Sequence, residues 1–159
     1  SSSGQTAGVT LALGNPDAHQ TARAGLAPLD SEQQKAIELL IASARQAVDS
    51  GQAPQAIEAL SQAIGVNPSD SRLFRMRADV YASSGELASA RADFSSAIQT
   101  DPTNAELRNI RGYFLMTLGV NEDALKDFAK AIELAIVGSH YRTVVDNVLK
   151  SDASSYNVA

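Results

Sequence analysis

Sliding the chain along itself by 34 residues superimposes like on like, and this internal period restricts the fold more than any other feature. Ala44 falls on Ala78 and Gly112, Gly51 on Gly85 and Gly119, and Ala56 on Ala90 and Ala124. Leu60 meets Phe94 and Phe128, Ala63 meets Ala97 and Ala131, and Ile64 meets Ile98 and Ile132. Pro68 aligns with Pro102 and then with Ile136. A chain with such a period builds one supersecondary unit several times over, because each unit buries its apolar face only against a neighbour.

Each unit reads as helix, tight turn, helix. Gly51, Gly85 and Gly119 stand where a first helix must stop, since glycine accepts the left-handed backbone that closes a helix C-terminus. Pro54 suits the first turn of a second helix, where its missing N–H is not needed. Ala56, Leu60 and Ala63, with their counterparts in the next two units, lie at i, i+4 and i+7 and share one helical face. Small residues there let paired helices approach, and the large one fills the gap. Pro68 and Pro102 end their second helices.

The third unit carries the fullest motif: Arg111-Gly112-Tyr113, then Gly119, Asp123-Ala124-Leu125 and Asp127-Phe128-Ala129-Lys130-Ala131-Ile132-Glu133-Leu134. This order resembles the tetratricopeptide repeat, over three units at about 37–70, 71–104 and 105–138. The resemblance implies an all-α fold, a right-handed α-solenoid of helix-turn-helix repeats, for which a C-terminal capping helix is expected. Three departures stand out: Ala47 replaces the bulky residue seen as Tyr81, Arg108 occupies an apolar column, and Ile136 replaces the terminating proline. The last suggests that the final second helix runs on to about Val137. Ser139 is then expected to cap a separate helix over about 139–150, with Tyr141, Val144, Val145 and Val148 covering the open end of the array. Residues 151–159 read as a frayed tail.

Residues 1–30 differ in kind, with Gly4, Gly8, Gly14, Gly25, Pro16 and Pro28 and few charges. They read as an irregular arm, whose one patterned stretch, Val9 to Leu13, alternates apolar residues and suits either a flexible linker or a docked strand. Ser31 with Gln34 makes a capping box, so helical structure is expected from there to about Lys150. A chain that starts on Ser1, lacks Cys and opens Ser/Gly-rich leans towards a bacterial extracytoplasmic location over a cytoplasmic one.

Composition removes several kinds of chemistry. Zero Cys excludes thiol catalysis and thiolate metal sites, and His19 and His140 have no metal-spaced partner. A net charge of −5 argues against nucleic acid as a partner, and no apolar run is long enough for membrane insertion. Neither the Walker nor the dinucleotide glycine spacing occurs. No enzyme activity, cofactor or metal is expected.

One pairing varies between units: Arg77 and Arg111 are matched by Asp93 and Asp127, whereas the first unit holds Ser43 and Ala59 in those columns. Residues that come and go together read first as an ion pair between the two helices of a unit. The second reading sends both arginines to a ligand.

The resemblance further implies that first helices line a concave groove. The stripe left free there includes Ile41, Arg45 and Val48, then Arg72, Arg75 and Asp79, then Asn109, Tyr113 and Met116. Fixed arginine donors beside a polarizable apolar end suit a peptide or partner-protein segment with an acidic portion and an apolar anchor. The family's chaperone-tail clamp uses Lys and Asn on this stripe. The corresponding places hold Ile41, Arg45, Arg75, Asp79 and Glu106, so chaperone tails are not the expected ligand. The function expected is thus a non-catalytic protein-protein interaction module, with a homo-oligomeric scaffold, self-associating through the terminal helix or the arm, as the alternative.

Overall fold

The computed structural model describes the backbone of residues 28–155 and the side chains of residues 28–139. Among the described residues six helices follow in order: α1 (Ser31–Asp49), α2 (Ala53–Val66), α3 (Ser71–Ser83), α4 (Leu87–Thr100), α5 (Ala105–Thr117) and α6 (Asn121–Ser155). No strand occurs among the described residues. The arm through residue 27, Val9 to Leu13 within it, His19, the side chains of Tyr141, Val144, Val145 and Val148, and the last four residues lie outside what is described.

The helices pair as α1 with α2, α3 with α4 and α5 with α6, and α2 against α3 and α4 against α5 join one pair to the next. The turn within each pair is the same motif three times. Gly51, Gly85 and Gly119 hold φ of 70°, 80° and 75°, a conformation that costs any other L-residue about 1–2 kcal/mol. In the first turn, the Gly51 N–H donates to the Val48 carbonyl at 3.0 Å and the Gln52 N–H to the Ala47 carbonyl at 2.7 Å. Those two bonds satisfy carbonyls that the helix end would leave open. The Gln52 carbonyl then accepts the Ala56 N–H at 3.1 Å, so the residue closing one helix opens the next. Glu86 and Val120 repeat both roles.

Between units, Pro68 and Pro102 leave the ladder, and Asp70 and Asn104 restart it. The Asp70 carboxylate accepts the Arg72 N–H, and the Asn104 side-chain oxygen accepts the N–H groups of Glu106 and Leu107. Those caps also lie 34 residues apart, two after each proline.

The alanine columns are the core. Ala44, Ala56, Ala63, Ala78, Ala90, Ala97 and Ala124 are all essentially without solvent exposure, and Leu60, Leu73 and Phe94 fill the spaces between them. Phe94 lies 5.1 Å from Phe114 in the following unit. Gly112 takes the third place in its alanine column because the Phe128 ring occupies the volume of a methyl group: a Cβ there would sit 2.7 Å from Phe128 Cε1.

The C-terminal end corrects one expectation. No helix starts at Ser139: α6 continues unbroken through Gly138 for 35 residues. Ile136 puts no proline in the stop position, and a glycine within a helix costs only about 1 kcal/mol. The Ser139 hydroxyl donates back to the Ile136 carbonyl at 2.9 Å, which is a mid-helix role.

Candidate functional site

Two chemically distinct places stand out, one that locks the array and one that is open. The lock is built from Arg77 and Arg111. Arg77 Nε and Nη2 donate to the two carboxylate oxygens of Asp93 at 2.6 and 2.9 Å, and Arg111 does the same to Asp127 at 2.6 and 2.7 Å. Each remaining Nη1 donates to a hydroxyl on the preceding second helix, Arg77 to Ser61 at 2.9 Å and Arg111 to Ser95 at 3.0 Å. One guanidinium therefore ties three helices across two units. The hydrogen bond from Arg77 to Asp93 holds the guanidinium proton more firmly than usual, against the opposing effect of burial. Both arginines are committed to the fold.

Arg108, the residue out of place in an apolar column, joins this network: its Nη1 lies 3.3 Å from Asp127 Oδ1. In the first unit, where Ser43 and Ala59 replace the pair, those two residues line a cleft of about 360 Å3 between α1 and α2. The serines were not singled out from sequence, although Ser61 and Ser95 stand in one column that turns to Ala129.

The open place is a groove of about 460 Å3 between the first helices α1 and α3. Leu60 of α2, Ala44, Met76 and Val80 give it an apolar lining, and Arg45, Val48, Asp49, Asp79 and Ser83 complete the wall. Periodicity explains the arrangement: Ala44, Arg45, Val48 and Asp49 fall on one face of α1, and Met76, Asp79, Val80 and Ser83 on one face of α3. Burial raises the Asp79 carboxyl above its ordinary range, and the nearby Arg75 charge works the other way.

Of the nine residues expected at the site, the structure brings Arg45, Val48 and Asp79 together in this groove. Arg72 turns away, its guanidinium bonded to Asp70 at 2.7 Å. Arg75 lies beside Asp79, with Nε 3.3 Å from Oδ2. Ile41 is half-buried, and none of Ile41, Asn109, Tyr113 and Met116 lines the groove. Tyr113 and Met116 are well exposed on α5, where the Tyr113 ring meets Phe128 edge-on at 5.0 Å. Met76, Leu60 and Val80 were missed. The spacing of Met76 from Asp79, Val80 and Ser83, at 3, 4 and 7, marks the α3 part of the wall, whereas Leu60 comes from another helix and enters only through packing.

Among the described residues, no cluster of His, Cys, Asp and Glu is arranged to hold a metal ion, and no helix is long and apolar enough to cross a membrane.

The family model described as Tetratricopeptide repeat matches residues 41–105 and 76–138. No curated protein matches the sequence. Among solved structures, that of MamA is 24% identical, with a TM-score of 0.61 over 66% of this chain and 61% of that one. The first TPR of Spaghetti (RPAP3), bound to the HSP90 peptide SRMEEVD, is 20% identical with a TM-score of 0.58, covering 79% of this chain and 99% of that one. The TPR2B domain of yeast Sti1, in complex with pHsp70, is 21% identical with a TM-score of 0.59, covering 76% and 98%. At these identities the likeness is one of fold. The chain spans about three fifths of the length of the MamA structures it matches.

Proposed function

Because this chain belongs to the tetratricopeptide repeat family, we propose that it is a non-catalytic protein-interaction module that holds an extended partner segment in the groove between α1 and α3. The observation that carries this reading is the groove's composition: an apolar lining of Leu60, Met76 and Val80, bordered by Arg45 and by the carboxylates of Asp49 and Asp79. An apolar side chain of the segment would enter against that lining, and the charges of both signs on the walls would orient the flanking backbone and side chains. Two solved structures of similar fold carry a bound partner, the HSP90 peptide SRMEEVD in Spaghetti and pHsp70 in Sti1, which supports a role in binding.

The segment that suits this groove differs in character from the acidic peptide SRMEEVD. Arg72 is bonded to Asp70 and Arg75 is paired with Asp79, which leaves Arg45 as the cation of the groove wall beside two carboxylates. A segment with one apolar anchor and flanking charges of both signs fits better than a uniformly acidic one.

The test is selection of binding peptides from a random library, followed by affinity measurement on Ser83→Trp. Ser83 is an exposed wall residue, so an indole placed there fills the groove without disturbing the core. Peptides that lose about tenfold or more in affinity support the reading. Peptides that bind the variant as well as the parent protein refute it.

A further inference from the structure

The face that a second helix turns towards the next unit can be read at four register positions. On α4 and just past its end these are Arg91, Ser95, Ile98 and Pro102. Arg91 reaches Asp123 of α6 at 3.2 Å, Ser95 accepts a hydrogen bond from Arg111, and Ile98 is buried in a cluster with Leu107 of α5. The same positions on α6, 34 residues later, hold Leu125, Ala129, Ile132 and Ile136. Two polar groups that engage a following unit have become apolar, and proline has become isoleucine. All four are exposed, Leu125 by 67%, Ile132 by 61% and Ile136 by 62%. An array end that needs only solvation carries a polar face. This one is more apolar than the interior face it corresponds to, so it is built to be covered.

The spacing identifies what covers it. Leu125, Ala129, Ile132 and Ile136 alternate steps of four and three, the seam by which one helix packs along another. We propose that α6 pairs antiparallel with α6 of a second copy of this chain. A two-fold axis near the middle of the seam sets Leu125 of each copy against Ile136 of the other, and Ala129 against Ile132. Charge favours this arrangement. Lys126 and Glu133 flank the seam on the same side, one turn pair apart, and the axis brings Lys126 of each copy beside Glu133 of the other. Within one copy, Lys126 pairs with Glu122 at 2.9 Å and Glu133 with Lys130 at 2.7 Å. Exposed pairs of that kind are weak enough to exchange partners. Because α6 is continuous across the seam, its four side chains stay on one face. The groove between α1 and α3 takes no part in this contact.

Sedimentation equilibrium of the full chain tests the pairing. The expected result is a concentration-dependent species of twice 16.7 kDa, abolished by Ile132→Lys and by Leu125→Lys, both exposed positions whose variants keep the parental helical content. Lys126→Glu alone and Glu133→Lys alone each weaken association by about tenfold, since each sets like charges together twice, and the two substitutions combined restore it. A parent chain that stays monomeric up to about 1 mM overturns the proposal. So does a dimer that survives Ile132→Lys, or one that appears only when residues 1–30 are removed, which would make the arm the occupant of this face. A double charge swap that fails to restore association overturns the antiparallel register.

Discussion

Arg111 and Asp127 meet through two parallel hydrogen bonds of 2.6 and 2.7 Å, between a guanidinium still one-fifth exposed and a carboxylate almost wholly buried. A buried carboxylate is stable only while its partner is present, because desolvation without compensation is costly. The same bond recurs between Arg77 and Asp93, and each arginine adds a third bond to the serine of the unit before. The pair is thus a joint within a unit and a staple between units.

Removing one half of the pair has unequal consequences in the two units. Arg77→Leu leaves Asp93 without its arginine and should cost about 3–5 kcal/mol. Arg111→Leu should cost less, because Arg108 remains 3.3 Å from Asp127, whereas Phe74 stands in the column of Arg108 one unit earlier. Urea denaturation of both variants checks the order. Equal losses would show that Arg108 gives no support.

Gly112→Ala should destabilise the third unit by about 1–3 kcal/mol, since the new methyl group would lie 2.7 Å from the Phe128 ring. Adding Phe128→Leu reproduces the Ala44 and Leu60 combination of the first unit and should recover part of the loss. Thermal melts of the single and double variants give the answer. A Gly112→Ala protein as stable as the parent would mean that the ring moves aside freely.

Asp79 imposes a pH dependence of known sign. Its carboxyl is raised in the folded chain, chiefly by burial, so the folded state holds the proton more tightly than the unfolded one. That contribution to stability is fully present below the unfolded carboxylate value of about 3.9 and is lost as pH rises through the raised folded value. Asp79→Asn should therefore flatten this fall, gaining on the parent protein as pH climbs from about 4 to 7. Melting temperatures across that range measure it. Asp79 is half exposed, so the effect is small, and its direction is the result that counts.

Much of this architecture is legible in the sequence because the repeat amplifies weak local signals. Any one glycine is an ambiguous punctuation mark. Gly51, Gly85 and Gly119 in one column specify a left-handed turn, and all three adopt it. Arg77 and Arg111 were legible as structural partners because Ser43 and Ala59 lose both halves together. The groove was harder to read. Leu60 reaches it from a second helix, and the capture of Arg72 by Asp70 is a side-chain choice two residues along, which helical spacing does not reveal. Ser139 misled because a serine that caps a helix and one that bonds back to the preceding turn look alike in sequence. The caps at Asp70 and Asn104 share a column but differ in side chain, so a search for identical residues passes over them.

A partner segment seated in the groove between α1 and α3, as proposed, would change the surroundings of the methyl groups that line it. Methyl chemical-shift mapping by NMR, with a library-selected peptide added to the full chain, tests it most directly. The methyl signals of Val48, Leu60, Met76 and Val80 should move together and saturate at one peptide per chain, while those of Leu125, Ile132 and Ile136 stay in place. Shifts confined to the α6 methyl groups, with the groove signals unmoved at saturation, would contradict it.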